Sequence, residues 1–261
     1  MEGLEIQDVS EKNIDDLIGF CIPIDKKGDR YFIEGAGVKK RWAVQMLKKF
    51  GSFAKIAYLN GRLAGIIQYQ LRPDEKLVVI DCIFVLEKEN LKKGIGKTLF
   101  QSLLDDMQRP KSYFGDDIPA GFVISAFQVP GRYPQSEFFK KMGFKQVSED
   151  DPSLLYYPLK KDFVYKPKII SYIPQEEDKG RALIFYDPNC PFSIYFSEKI
   201  KESILEVAPD ISVRMINEFE EADEVTKRGR VSFCIVNQKP IMTFFFDKEN
   251  FQKEIKEALK N

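Results

Sequence analysis

Residues 77–86, LVVIDCIFVL, are apolar at every position except Asp81. They lead directly into a lysine- and glycine-rich turn and then an amphipathic stretch. A strand with apolar side chains at successive positions must be covered on both faces, which puts it at the centre of a sheet with helices packed against it. In residues 94–107, Leu99, Leu103, Leu104 and Met107 recur at helical spacing and predict one buried stripe. A buried strand, a glycine turn and a helix in succession make this an α/β chain.

The remaining pattern follows from that unit. Residues 13–20 read as a short helix with Asn13 as its cap, and residues 38–50 as a helix that ends at Gly51. AKIAYL and LAGIIQYQL flank Asn60-Gly61, a strong hairpin turn signal. Beyond the helix at 94–107 come a buried strand (FVISAFQV), a short helix over 135–142 that stops at Gly143, and a closing strand pair (FKQV and LLYYPL). Residues 161–180 mix prolines with charge and read as a connector holding at most one strand. From Arg181 the order restarts as βαβαββα. The predicted division is therefore 1–160, a connector at 161–180, and 181–261.

Composition removes several chemistries. Forty basic and forty acidic residues balance, which gives no basic field for nucleic acid. No apolar run reaches the ~20 residues of a membrane helix, and MEGLEIQDVSEKN lacks the apolar core of a secretory signal. The expectation is no membrane partner and a cytoplasmic location. Cys21, Cys82, Cys190 and Cys234 form no CxxC pair, which argues against a zinc cluster. The chain has no histidine, so catalysis through a histidine base and histidine-ligated metal are excluded. Proton transfer falls to Asp, Glu, Lys, Tyr, Cys or water, and no metal site is expected.

The turn after the buried strand carries the most chemistry. Leu91, Lys92, Lys93, Gly94, Ile95, Gly96, Lys97 and Thr98 open a helix N-terminus, where unpaired N–H groups and the helix dipole favour anions. Glycine lets the backbone approach a ligand closely. The lysines add charge, so the segment reads as a diphosphate cradle. The Walker spacing is absent. Asp81 interrupts the apolar strand and is the candidate base, or else a strand-end carboxylate paired with a cation. Cys82 reads as core, because no histidine activates it. Glu34, beside Gly35 and Gly37, is a weaker candidate for the acceptor side.

Residues 85–98 resemble the coenzyme-A loop of the GNAT N-acetyltransferase superfamily, whose signature Gln/Arg-x-x-Gly-x-Gly/Ala follows the fourth strand. Residues 137–144, EFFKKMGF, resemble its late Phe-Tyr-x-x-x-Gly-Phe element. The order of elements over residues 1–160 is also similar. The resemblance implies a GNAT fold with a mixed central sheet, and acetyl-CoA as co-substrate in a splay between the fourth and fifth strands. It further implies that the backbone of Ile83, Phe84 and Val85 aligns the pantetheine arm, while an amine attacks the thioester directly. Two positions depart from the signature. Leu91 stands where Gln or Arg is usual, which leaves diphosphate binding to backbone N–H groups and lysines. Phe139 stands where a tyrosine often protonates the thiolate, which leaves Tyr133 or water. The side chains of Phe138, Phe139 and Phe144 read as core.

The second half, through its order of elements, resembles a thioredoxin-like fold. Cys190, in Asp187-Pro-Asn-Cys-Pro-Phe-Ser, sits at a helix N-terminus that stabilises a thiolate, but Ser193 replaces the resolving cysteine. No proline stands at Val231-Ser232, where the fold usually carries a cis-proline. Arg228 and Arg230 are possible neighbours of the thiol. The domain order resembles GNAT proteins with a C-terminal YoaP-like domain, a possible site for a protein partner. The leading reading is acetyl transfer to an amine-bearing small molecule, peptide or protein. The alternatives are an acyl-CoA-binding sensor and a reactive-thiol protein built on Cys190.

Overall fold

In the computed structural model, the described residues are 2–86, 90–127, 133–168, 171–229, 231 and 233–260. They form two compact units, one of residues 1–17 and 44–167, the other of residues 18–43 and 168–261. Arg230 and Ser232 lie outside the described residues. No helix among those described is long and apolar enough to cross a membrane.

The first unit is built on a seven-stranded mixed sheet in the order β1-β2-β3-β4-β5-β7-β6. Its strands are β1 (Leu4–Asp8), β2 (Ala54–Leu59), β3 (Arg62–Arg72), β4 (Leu77–Val85), β5 (Gly121–Ser125), β6 (Lys145–Gln146) and β7 (Leu154–Pro158). Asn60 and Gly61 turn β2 into β3 with φ of 50° and 73°, as the dipeptide predicts. Strand β1 was missed by pattern, because LEIQD is half-exposed and alternates poorly. Helix α3 (Ile95–Met107) buries Ile95, Leu99, Phe100, Leu103, Leu104 and Met107 against the sheet, the predicted stripe with Ile95 and Phe100 added. Helix α4 (Gln135–Lys141) closes the same core. Phe139 is fully buried, 4.9 Å from Phe144 and 6.2 Å from Phe100 by ring centroids. Such edge-to-face rings add directional attraction to the burial of large apolar area.

Among the described strands of this sheet only β4 and β5 pair in parallel, and their pairing is short. Leu77, Val78 and Val79 pair with Gly121, Phe122 and Val123, and there the ladder ends, although β4 continues to Val85. On its other edge β4 stays paired with β3 throughout. One irregularity occurs: Ile80 faces Tyr69 and Cys82 faces Gln68, so Asp81 is an extra residue in the ladder. Such a bulge re-aims side chains and increases local twist. The fold therefore splays β4 from β5 over the half of β4 that precedes the glycine turn.

The second unit has a four-stranded sheet, β11-β10-β8-β9. Strand β8 (Arg181–Tyr186) runs parallel to β9 (Ser212–Asn217) and antiparallel to β10 (Cys234–Val236), which forms a hairpin with β11 (Lys239–Ile241). Helices α5 (Phe192–Val207), α6 (Ala222–Thr226) and α7 (Lys248–Leu259) complete the predicted order βαβαββα. Residues 171–180 show no strand. They hold a turn at Glu176–Asp178 whose Asp178 is buried in this unit.

The compact units differ from a division into 1–160, a connector at 161–180, and 181–261. Residues 18–43 belong with the second unit. Following α1 (Ile14–Phe20), helix α2 runs Arg30–Phe50, eight residues longer at its start than the pattern indicates. Gly35 and Gly37, weak helix formers, concealed that first half. Gly35 has a packing reason to be there: a Cβ would lie 2.2 Å from the backbone oxygen of Pro191. Phe32, one turn earlier, packs edge-on to Phe192 with centroids 4.9 Å apart. A Cβ on Gly37 has only the end of Arg41, 4.0 Å away, as a neighbour.

These two glycines are expected to respond oppositely to alanine. Gly37→Ala should raise the thermal midpoint, by the roughly 0.5–1 kcal/mol of helix propensity. Gly35→Ala should lower it, because overpacking against backbone costs about 1–3 kcal/mol and exceeds that gain. Thermal unfolding of both variants checks this. A Gly35→Ala protein as stable as the wild type would disprove the close approach.

Candidate active site

Gly94 caps α3 in the left-handed conformation (φ 82°, ψ 1°), a region that strains any residue with a Cβ. This turns the chain from the loop into the helix so that the first N–H groups of α3, which have no partner one turn back, face outward. The turn is closed by Thr98, whose N–H (2.9 Å) and Oγ1 (3.2 Å) both donate to the Gly94 carbonyl. Lys92, itself at φ 63°, stands exposed beside Lys93 and Lys97 around this N-terminus. The turn thus brings together backbone donors, a helix dipole and three solvated ammonium groups.

Next to it lies a cleft of about 130 Å³ lined by Ile83, Phe84, Val85, Leu91, Gly96, Tyr133, Gln135 and Phe138. Six of these were anticipated: the β4 residues, Leu91 and Gly96 as ligand contacts, and Tyr133 as an acid. Gln135 was not singled out, and Phe138 was read as core. Phe138 turns out to be half-buried, with its ring 3.4 Å from where a Cβ on Gly96 would sit. The cleft walls are apolar, and its polar side chains are Tyr133 and Gln135. The Tyr133 hydroxyl accepts a 2.7 Å hydrogen bond from Lys141 Nζ, which leaves its own O–H to donate elsewhere. The pattern of Tyr133, Gln135 and Phe138 was faint in sequence, because a seven-residue helix gives little periodicity.

Asp81 is not among the cleft residues. Its carboxylate accepts from Gln70 Nε2 at 3.0 Å and Gln68 Nε2 at 3.5 Å. These amide donors hold the side chain in place. Cys82 is half-buried at the bulge. Glu34 is exposed on α2 and belongs to the second unit.

Cys190, in the second unit, departs from expectation. It does precede α5, but burial pushes its thiol up to about 11. The neighbouring Cys21 adds to the rise, while the Lys39 ammonium and the Phe192 N–H oppose it without cancelling it. Sequence reasoning gave the helix end its usual effect and had no way to see that residues 18–43 pack around the thiol. Ser193 Oγ donates to the Asp187 carbonyl at 2.6 Å, a local turn contact. Arg228 does not serve the thiol either. It is buried, with Nη2 2.6 Å from Asp178 Oδ1 and Nη1 2.8 Å from Glu224 Oε2, so its guanidinium is consumed by structural ion pairs. No group of three or more metal-ligating side chains is found among the described residues.

A splayed β4, a left-handed glycine cap and an anion-favouring helix end now stand together. Residues 26–114 match the acetyltransferase (GNAT) family. Among solved structures, the chain is similar to a GNAT family acetyltransferase from Brucella melitensis in complex with acetyl-CoA. The two are 13% identical with a TM-score of 0.40, over 62% of this chain and 92% of that one. It is also similar to the PaiA N-acetyltransferase of Thermoplasma acidophilum in complex with coenzyme A, at 16% identity and a TM-score of 0.42. That likeness covers 59% of this chain and 98% of the other. No curated protein sequence matches the chain.

The raised thiol gives a direct test. At pH 7, iodoacetamide should label Cys190 about a hundredfold more slowly than free cysteine, with the rate rising about tenfold per pH unit toward pH 11. Peptide mapping after timed labelling reads the rate. Labelling as fast as free cysteine at pH 7 would restore the reactive-thiol reading.

Proposed function

We propose that the first unit is an acetyltransferase that uses acetyl-CoA and an amine acceptor. The observation that carries this reading is the juxtaposition of the Gly94 cap at the start of α3 with the apolar cleft along Ile83, Phe84 and Val85. The residues present fit coenzyme A. The α3 N-terminus with Lys92, Lys93 and Lys97 suits a diphosphate. The stretch of β4 past its ladder with β5 lines the cleft at Ile83, Phe84 and Val85 and suits an extended chain of amides. Leu91, 38% exposed on the cleft, supplies apolar contact and no hydrogen bond. The co-substrate supplies an acetyl thioester, a carbonyl activated toward a neutral amine.

The chain's own contributions follow from these positions. The backbone of Ile83–Val85 orients the ligand, and Phe84, Val85, Leu91 and Phe138 exclude water. Tyr133 donates its phenolic proton toward the departing sulfur, and the Lys141 ammonium stabilises the oxygen left behind. Asp81, fixed by Gln68 and Gln70 on the splayed stretch of β4, is the carboxylate toward which the amine's proton moves through water. The acceptor is a small molecule, peptide or protein amine. The second unit, which resembles a thioredoxin-like, YoaP-like domain, is a place for a protein partner. Four free cysteines fit the reducing cytoplasm.

Incubation of the full chain with acetyl-CoA and a panel of polyamines, amino acids and peptide N-termini should release free coenzyme A. Tight coenzyme A binding without turnover on any amine would instead make the protein an acyl-CoA sensor. Once an acceptor is found, Tyr133→Phe should lower kcat roughly a hundredfold or more while leaving acetyl-CoA affinity unchanged. An unchanged kcat would remove Tyr133 as the acid.

A further inference from the structure

Gln135, the first residue of α4, lines the cleft, and its side-chain Oε1 is buried with no hydrogen-bond donor. Buried amide oxygens are paired in nearly all native structures, because an unpaired one loses its water without replacement. Its surroundings in the cleft offer no remedy. Leu91 and Phe138 have no polar side-chain atom, and the Tyr133 hydroxyl, which accepts from Lys141, makes no hydrogen bond to Gln135 Oε1. An orphaned acceptor in an otherwise apolar cleft selects for a ligand that brings an N–H or O–H to that point, since ligands lacking it leave the group unpaired.

We infer that Gln135 is a binding residue of the acyl-CoA site, whose Oε1 accepts a hydrogen bond from an amide N–H of the pantetheine arm. This rests on the acetyl-CoA reading above. The choice of the arm follows from position. The cleft extends from Gly96, in the turn suited to the diphosphate, along β4 residues Ile83–Val85. Between diphosphate and thioester, the secondary amides are the co-substrate's N–H donors. An amide N–H of the arm lying there meets the acceptor of Gln135. The glutamine therefore contributes to holding the arm rather than to holding α4.

Titration calorimetry on the full chain tests this, with coenzyme A and with 3′-phospho-ADP, which lacks the arm. Gln135→Leu should weaken coenzyme A binding about tenfold, the loss of one neutral hydrogen bond, and leave 3′-phospho-ADP binding unchanged. Its thermal midpoint should stay level or rise, because an unsatisfied acceptor has been removed. Gln135→Glu keeps an acceptor oxygen and should recover most of the affinity, and Gln135→Met substitutes for the leucine variant if that chain does not fold. Wild-type affinity for coenzyme A in the leucine variant would overturn the inference and leave the acceptor amine as the source of the N–H. Equal losses for both ligands with a lowered midpoint would also overturn it, by making Gln135 structural. A wild-type chain that binds neither ligand would overturn the acyl-CoA reading as a whole.

Discussion

The end of β4–β5 pairing after Val79 and Val123 is the constraint on which the first unit turns. A sheet strand normally spends its backbone donors and acceptors on both neighbours. Here β4 remains committed to β3 on one edge, while its ladder with β5 stops at Val79 and β4 runs on to Val85. The Asp81 bulge lies on that further stretch, where extra twist helps the strand turn away. The cleft is the space so opened. The Gly94 cap then sets the α3 N-terminus beside it. Strand divergence, bulge and cap act together. Without the first, the other two would sit on a closed sheet.

The aromatic core holds this geometry. Phe100, Phe139, Phe144 and Tyr157 touch one another through edge-to-face and tilted rings. Phe139 is thereby removed from chemistry, and Phe138, on the adjacent face of α4, is left to wall the cleft. Two neighbouring phenylalanines thus take unlike roles because α4 is only half immersed. The polar work at that end of the cleft passes to Tyr133 and Gln135.

The second unit shows how packing overrides a local electrostatic rule. A helix N-terminus favours a thiolate at Cys190, yet desolvation by the close-packed start of α2 outweighs it. Arg228 shows the same principle with opposite partners. Its buried guanidinium is tolerable only because Asp178 and Glu224 pair with it at 2.6 and 2.8 Å. These carboxylates rigidify the unit and take up the Arg228 guanidinium.

Much of the fold was legible in the chain because its signals are local. Period-2 and period-3.6 patterns, Asn60-Gly61 and the glycine-rich turn at 94–96 depend on neighbours within a few residues, and each produced the element anticipated. Strand β1 and the first half of α2 were not legible. One is held by pairing with β2, fifty residues away, and the other by a glycine that answers to Pro191. For the candidate site, the sequence by itself determined the anion-favouring turn, the apolar edge of β4 and the absence of any histidine base. Only the tertiary structure decided that Asp81 would be bound by Gln68 and Gln70, that desolvation would raise the Cys190 thiol, and that Gln135 would face the cleft with an unpaired oxygen. The physical reason is the same in each case. Desolvation and hydrogen-bond satisfaction are set by residues distant in the chain, which no local pattern specifies.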